Sequence, residues 1–290
     1  MIRSLFFAPA NRHDLLTKFP RFRADCYAID LEDGTPEGDK DSARARLDEA
    51  VRMLRGVSLQ GRLYVRVNEA SSKHYIRDIE AAVLCDIDGL IVPKLESRDQ
   101  LFPVDHAITR AEAAQTGRRR IEIMAGIESM RGVIDAVALC AAHPRITSAF
   151  FGAEDFASDI GARRTRTGDE VLYARSQVVL AAKAARIIAI DQAVVEIRDD
   201  EQFRRDAEKG RDLGYEGKIC VVPRQVELSN EIYAPTADEI AHARELVAVY
   251  QDAMQRGIGT IDFKGHMIDG PLLKRAEAVL ELARQLEARA

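Results

Sequence analysis

The chain has 290 residues, 47% of them hydrophobic, with 47 acidic and 42 basic side chains and a formal net charge of -5. Such a length buries one large core or two ordinary ones, and the mildly acidic balance lacks the electrostatic footprint of a nucleic-acid binder. No apolar run approaches the ~18 residues of a membrane span, and Met1-Ile2-Arg3 leads directly into a strand-like segment, which leaves no room for a secretion signal.

In chain order, short β-prone runs alternate with longer amphipathic ones. The apolar runs at 2–7, 26–31, 63–67, 87–92, 121–127, 148–151, 187–190 and 217–221 predict strands. Between them, 41–54, 75–84, 98–114, 130–141, 172–185 and 199–213 repeat apolar residues at three- and four-residue steps, the spacing of helices that bury one stripe. In the fifth of these, Val171, Val178, Val179 and Ala182 form the stripe, and Arg175 and Lys183 fall elsewhere on the wheel. The strands are apolar through most of their length, as parallel strands covered on both faces are. Eight strand–helix units predict an α/β fold, a (β/α)8 TIM barrel. The alternative, an open doubly wound sheet, has no Gly-x-Gly-x-x-Gly after its first strand to support it.

The barrel domain is expected over 1–230 and a C-terminal helical lid over 231–290. Residues 236–256 predict a helix with Thr236 as N-cap and Glu239 completing a capping box. Gly257-Ile258-Gly259-Thr260 breaks it, a short segment over 261–271 follows, and 272–290 predicts the last helix. Glycine-rich breaks of this kind suit a lid. Arg118-Arg119-Arg120 reads as a solvated loop, and Cys26, Cys85, Cys140 and Cys220, with no Cys-x-x-Cys spacing, as reduced core thiols of a cytoplasmic protein.

In a β/α barrel, chemistry sits at the carboxyl ends of the strands. Those ends carry Asp30, Glu32 and Asp33, then Arg66 and Asn68, then Lys94, Glu128, Glu154 with Asp155, and Asp191. A mouth so acidic calls for a cation, and carboxylates on neighbouring strands are oxygen ligands for a hard divalent ion. Glu154 and Asp155 point in different directions, so one of them at most is a ligand. Two roles are open to Asp30, Glu32 and Asp33: capping the next helix or pairing with Arg66. Lys94 sits where one aldolase class forms a Schiff base, but the acids nearby favour an ion pair, with Glu96 or Glu122. None of the six histidines ends a strand, which argues against a histidine metal cluster or a triad.

Ser4-Leu5-Phe6-Phe7-Ala8-Pro9, Asp30-Leu31-Glu32-Asp33, Arg66-Val67-Asn68, Val92-Pro93-Lys94, Gly126-Ile127-Glu128-Ser129, Phe151-Gly152-Ala153-Glu154-Asp155 and Met267-Ile268-Asp269-Gly270-Pro271 occur in this order. The set resembles the citrate lyase beta subunit-like branch of the acyl-CoA lyase and aldolase superfamily, which includes malyl-CoA and citramalyl-CoA lyases. The resemblance implies a barrel, a bound Mg²⁺, and a homotrimer or a multiple of trimers. It places the metal ligands on Glu128 and Asp155, the substrate-side arginine on Arg66, and the catalytic acid on Asp269, delivered by a neighbouring subunit. Glu32, Asp33 and Lys94 would complete the substrate side, and Arg12 and Lys18 would meet the phosphates of coenzyme A. The chain departs from the family pattern at Ala10, Ser129 and Val222-Pro223, positions around the site and not among its ligands. The implied reaction is Mg²⁺-dependent retro-Claisen cleavage of a 3-hydroxyacyl-CoA to acetyl-CoA and a 2-oxo acid. The alternatives are a citrate lyase beta subunit acting on a citryl thioester of an acyl carrier protein, and a non-catalytic barrel that binds a metabolite.

Overall fold

The computed structural model describes residues 1–57, 59–114 and 120–288. Eight parallel strands close into a barrel: β1 Ser4–Pro9, β2 Cys26–Asp30, β3 Arg62–Arg66, β4 Gly89–Val92, β5 Glu122–Ile127, β6 Ile146–Phe151, β7 Ile188–Asp191 and β8 Gly217–Cys220. The β1–β8 pairing, Ser4 to Lys218 and Leu5 to Ile219, completes the ring. All eight expected strands are present, with ends shifted by one or two residues. Their apolar character has the expected cause: Leu5, Ala28, Tyr64, Ile91, Met124, Phe150 and Ile190 fill the core.

The amphipathic segments form helices, some divided in two. The segment at 41–54 becomes Lys40–Ala45 and Leu47–Gly56, and that at 130–141 becomes Met130–Ile134 and Ala136–Cys140. Among the described residues, three α-helices were not anticipated: the single turn His13–Leu16 after β1, Ala153–Asp159 directly after β6 and Pro223–Ile232 after β8. Arg118 and Arg119 lie outside the described residues, and Arg120 is exposed. Among the described residues, no helix is long and apolar enough to cross a membrane.

Arg175 corrects the helical-wheel reading. It is fully buried, not off the apolar stripe on a polar face. Its guanidinium donates to Asp191 Oδ1 at 2.8 Å and to Asp206 Oδ1 at 3.1 Å, and Lys218 Nζ lies 2.9 Å from Asp191 Oδ2 and also bonds Asp206. Two acids and two bases thus neutralise one another beneath β7 and β8. Asp191, expected to add negative charge to the barrel mouth, is spent in this cluster.

A second compact unit begins at Ile232. Its first helix, Ala237–Gln255, carries the expected capping box: Glu239 N–H donates to Thr236 Oγ1 at 3.1 Å, and Thr236 N–H to Glu239 Oε2 at 2.8 Å. Gly257, at φ +75°, takes the left-handed conformation that ends this helix, so the glycine acts as a helix stop. The segment that follows is an antiparallel hairpin, Ile261–Phe263 with His266–Ile268, turning on Lys264 and Gly265, both at positive φ. The last helix, Gly270–Glu287, packs Leu272, Leu273, Val279 and Leu280 against Leu246, Tyr250, Phe263 and Ile268 of the same unit. The apolar face of that helix therefore has a surface to cover within its own unit.

Candidate active site

The parallel ladder aligns the strand ends, and this places the polar residues. Arg66, last in β3, pairs in register with Asp30, last in β2. Its Nε donates to Asp30 Oδ1 and its Nη2 to Asp30 Oδ2, both at 2.7 Å, a two-pronged contact, and its Nη1 lies 3.0 Å from Glu32 Oε2. The guanidinium lies 4.9 Å from the centre of the Phe7 ring. Asp30 also accepts the N–H groups of Glu32 and Gly34, each at 2.9 Å. Of the two roles left open for Asp30, pairing with Arg66 is the one it fills; the N–H groups it accepts belong to the loop and not to the next helix, Glu37–Asp39. Burial opposes its ionisation, but Arg66 and these N–H groups hold its carboxyl below the usual aspartate value.

Glu128 follows β5 and is 3% exposed. Its Oε1 accepts the Lys94 N–H at 2.8 Å. A Cβ at Gly152 would lie 3.0 Å from Glu128 Cδ and closer still to its Cβ and Oε2, so the glycine of the Phe-Gly-Ala-Glu-Asp run is the space in which Glu128 sits. Burial pushes the Glu128 carboxyl up to about 7, against the pull of Arg66 and with the repulsion of Asp155. Asp155 is in the first turn of the helix Ala153–Asp159, and Glu154 beside it turns away to Arg164, 2.9 Å distant. Of the two adjacent acids, only Asp155 is within ion-pairing reach of Lys94.

Lys94, just after β4, has a left-handed backbone at φ +46°. Its Nζ stands 3.4 Å from Asp155 Oδ1, 3.4 Å from Glu69 Oε2 and 3.6 Å from Glu32 Oε1. The expected partners Glu96 and Glu122 are not the ones it meets. Glu122 opens β5 at the opposite end of the barrel, where it accepts from Arg62 and Tyr64 at 2.5 Å each and from Thr147 at 2.9 Å. Glu69 was missed. Its signal was only that it follows Asn68 where the strand-three segment stops. Burial pushes the Glu32 carboxyl up to about 8, with Arg66 opposing and Glu128 adding repulsion, and its buried Oε1 accepts no hydrogen bond.

Asp30, Asp33, Arg66, Glu128 and Asp155 share the walls of one cavity of about 420 Å³ with Phe7 and Phe150. Asp33 is exposed at its rim. Arg12 and Lys18 are not among the lining residues: Arg12 is exposed and pairs with Asp14 at 2.8 Å, and Lys18 is half-buried on the connection after β1. Asp269 belongs to the second unit, at the N-cap of Gly270–Glu287, and its carboxylate makes no capping hydrogen bond. Ser129, a departure from the family pattern, caps the helix Met130–Ile134 by accepting the Gly132 N–H at 3.1 Å.

The donor set suits a small, hard cation. Two carboxylates, one of them buried and drawn toward protonation, gain from a divalent ion, and magnesium typically takes one or two protein carboxylates and keeps waters elsewhere. Among the described residues, no group of three or more His, Cys, Asp or Glu forms a metal cage.

A closed β/α barrel with paired carboxylates and a clamped arginine at the carboxyl ends of its strands defines an enzyme scaffold for metal-assisted chemistry on an anion. Residues 3–223 match the HpcH/HpaI aldolase/citrate lyase family, and the chain belongs to it. It is 40% identical over 282 residues to a citrate lyase subunit beta-like protein of Deinococcus radiodurans, covering 97% of this chain and 96% of that one. It is 29% identical over 296 residues to the mitochondrial citramalyl-CoA lyase of Homo sapiens, covering 98% and 86%. The crystal structure of protein CitE from Mycobacterium tuberculosis in complex with magnesium, acetoacetate and coenzyme A superposes with a TM-score of 0.79 at 27% identity, covering 97% of both chains. The family read from the ordered motifs is confirmed, as are the barrel and the lyase class.

Proposed function

We propose that this protein is a Mg²⁺-dependent carbon–carbon lyase that cleaves a 3-hydroxyacyl-CoA of the malyl or citramalyl type to acetyl-CoA and a 2-oxo acid. The observation that carries the reading is the meeting of Glu128, Asp155 and Arg66 in one cavity. It is supported by relatives named for citrate lyase and citramalyl-CoA lyase and by the CitE structure that holds magnesium and coenzyme A.

Glu128 and Asp155 would hold the ion. When bound there, Mg²⁺ supplies Lewis-acid polarisation of the carbonyl that forms on the oxo-acid half. Retro-Claisen cleavage breaks the carbon–carbon bond as the 3-hydroxyl, becoming a carbonyl, gives its proton to water, and it leaves an enolate on the thioester half. Arg66, always ionised and fixed by Asp30 and Glu32, offers a cation to that oxygen or to a substrate carboxylate. Asp33 would meet substrate from the cavity wall, and Glu32 and Lys94, which are not among the wall residues, would bind it from beside Arg66 and Asp155; Arg12 and Lys18 would meet the coenzyme A phosphates. Asp269 protonates the enolate carbon from the lid of a neighbouring subunit, in a homotrimer or a multiple of trimers acting in the cytoplasm. Its carboxylate, not engaged in capping its own helix, is available for that work.

The test is cleavage of malyl-CoA and citramalyl-CoA by the purified protein with magnesium, together with calorimetry on Glu128→Ala and Asp155→Ala. Turnover of one thioester and loss of magnesium affinity in both variants are expected. Unchanged affinity in both removes the metal assignment. A second reading, a citrate lyase beta subunit acting on a citryl thioester of an acyl carrier protein, draws on the higher identity to citrate lyase beta relatives, 36% for that of Leuconostoc mesenteroides subsp. cremoris. Activity on the carrier-bound thioester alone would select it.

A further inference from the structure

Behind the acidic loop that follows β2 lies a buried lysine that the reaction does not touch. Lys40 opens the helix Lys40–Ala45 and is 8% exposed. Its ammonium has three protons to give and three acceptors to meet them: Leu31 O at 2.9 Å, Glu32 O at 2.8 Å and Asn68 Oδ1 at 2.6 Å. Leu31 and Glu32 come just after β2 ends, where the ladder no longer supplies donors to their buried carbonyls. Lys40 joins the Asn68 amide on Leu31 O and the Thr35 N–H, 3.0 Å away, on Glu32 O, and among the described residues it is the one donor that ties the two carbonyls together.

The lysine is itself held from the far side. Asn68 donates to Leu31 O at 2.8 Å and to Asp78 Oδ2 at 2.6 Å, and its own N–H reaches Asp78 Oδ2 at 3.0 Å. Asp78, fully buried, accepts Arg44 Nε at 2.7 Å on Oδ1. Arg44 lies one turn beyond Lys40 on the same helix face. Lys40 and Asn68 thus hold the backbone carbonyls at Leu31 and Glu32, and Asp78 and Arg44 brace Asn68 from behind. From the front, Glu32 Oε2 contacts Arg66 Nη1, and the rest of that guanidinium is gripped by Asp30, two residues earlier.

We propose that Lys40 is a positioning residue for the anion-binding arginine. By fixing the carbonyls of Leu31 and Glu32, it sets the angle at which Asp30 and Glu32 hold Arg66 toward the cavity, and Asn68 and Asp78 hold Lys40 in turn. This inference rests on the reading of Arg66 as the group that receives substrate charge. Lys40 touches neither Glu128 nor Asp155, so its loss leaves the metal ligands in place.

The experiment uses the full chain with Lys40→Met, which keeps the length of the side chain and removes its donors. Three quantities are read: magnesium affinity by calorimetry, kcat and KM on the thioester that wild type cleaves, and the hydrogen-exchange rate of the Arg66 Nε–H in ¹⁵N spectra, assigned with Arg66→Lys. Magnesium affinity within about twofold of wild type, kcat/KM lower by about 10- to 100-fold and a clearly faster Nε–H exchange are expected. A folded variant with wild-type exchange and wild-type kcat/KM overturns the proposal. Should Lys40→Met not fold, Lys40→Gln, which retains two donors, takes its place. Failure of both makes Lys40 a folding residue and also overturns it. If wild type cleaves none of the thioesters, the proposed reaction falls, and the Nε–H exchange alone still decides the role of Lys40.

Discussion

Gly152→Ala tests the metal site without touching a ligand. The added methyl would lie 3.0 Å from Glu128 Cδ and nearer to its Cβ and Oε2. The nearest of these approaches is short of an ordinary contact by roughly 1 Å. Rotation about the far end of the side chain cannot relieve a clash at Cβ, so the whole Glu128 side chain must shift by a comparable amount. That shift breaks the 2.8 Å hydrogen bond from Lys94 N–H and moves one of two carboxylates away from its neighbour. Overpacking of this kind costs about 1–3 kcal/mol of stability. The displaced carboxylate lowers magnesium affinity by about 10- to 100-fold, or about 1.4–2.8 kcal/mol. Calorimetric titration with Mg²⁺ and thermal unfolding measure both. Gly56→Ala is the control, because no atom lies within 4 Å of its would-be Cβ, and it should bind magnesium as wild type does. Wild-type affinity and melting temperature in Gly152→Ala would refute the argument that this glycine exists to make room for Glu128.

Arg66→Lys should fold yet lose about 100-fold or more in turnover, since a lysine cannot make the two-pronged contact with Asp30 and still face the substrate; a near-wild-type rate would reduce Arg66 to a structural partner of Asp30. Asp269→Asn should keep fold and magnesium binding and abolish cleavage, and mixing it with Glu128→Ala subunits should restore partial activity; no recovery despite demonstrated subunit exchange would exclude action across an interface. Asp206→Ala, which leaves Lys218 and Arg175 to share Asp191, should cost about 3–5 kcal/mol in chemical denaturation. Burial opposes the Asp206 charge, but Lys218 and Arg175 hold its carboxyl below the usual aspartate value. The stability it contributes is therefore complete above the unfolded value of about 3.9 and fades as pH falls through the lower folded value. Wild type should lose more melting temperature than Asp206→Ala as pH falls below about 4, and parallel profiles would count against the pairing.

The barrel was legible because its signal is local. Each strand is a short apolar run, and each helix carries its own period, so eight units could be counted without any contact between them. That Glu128, Asp155 and Arg66 would meet in one cavity was legible for the same reason, since strand ends in a parallel barrel face one way; the roles given to them came from the family resemblance. What escaped depends on partners distant in the chain. Arg175 looks like a surface residue on a helical wheel until Asp191, Asp206 and Lys218 are brought around it by folding, and Asp191 looks like a site acid for want of the same information. Lys94 was assigned neighbours near it in sequence or strand order, whereas its ammonium meets Glu32, Glu69 and Asp155, acids brought to it from three other strand ends by folding. The hairpin at 261–268 is too short for periodicity to reveal. Its turn at Lys264-Gly265 is set by two positive φ angles, only one of them on a glycine.

The four cysteines have a practical consequence. All are buried and none forms a disulfide. Burial raises the thiols of Cys26, Cys140 and Cys220, the latter two to about 12, so at neutral pH these three carry almost no thiolate, the species that reacts with electrophiles. These three thiols should therefore react slowly with maleimides in the native protein, and Cys85 is shielded by its burial. A single cysteine introduced on the exposed surface of the second unit, at Lys274 or Glu277 for example, would carry a fluorophore or spin label that reports on that unit alone, in an otherwise unaltered chain.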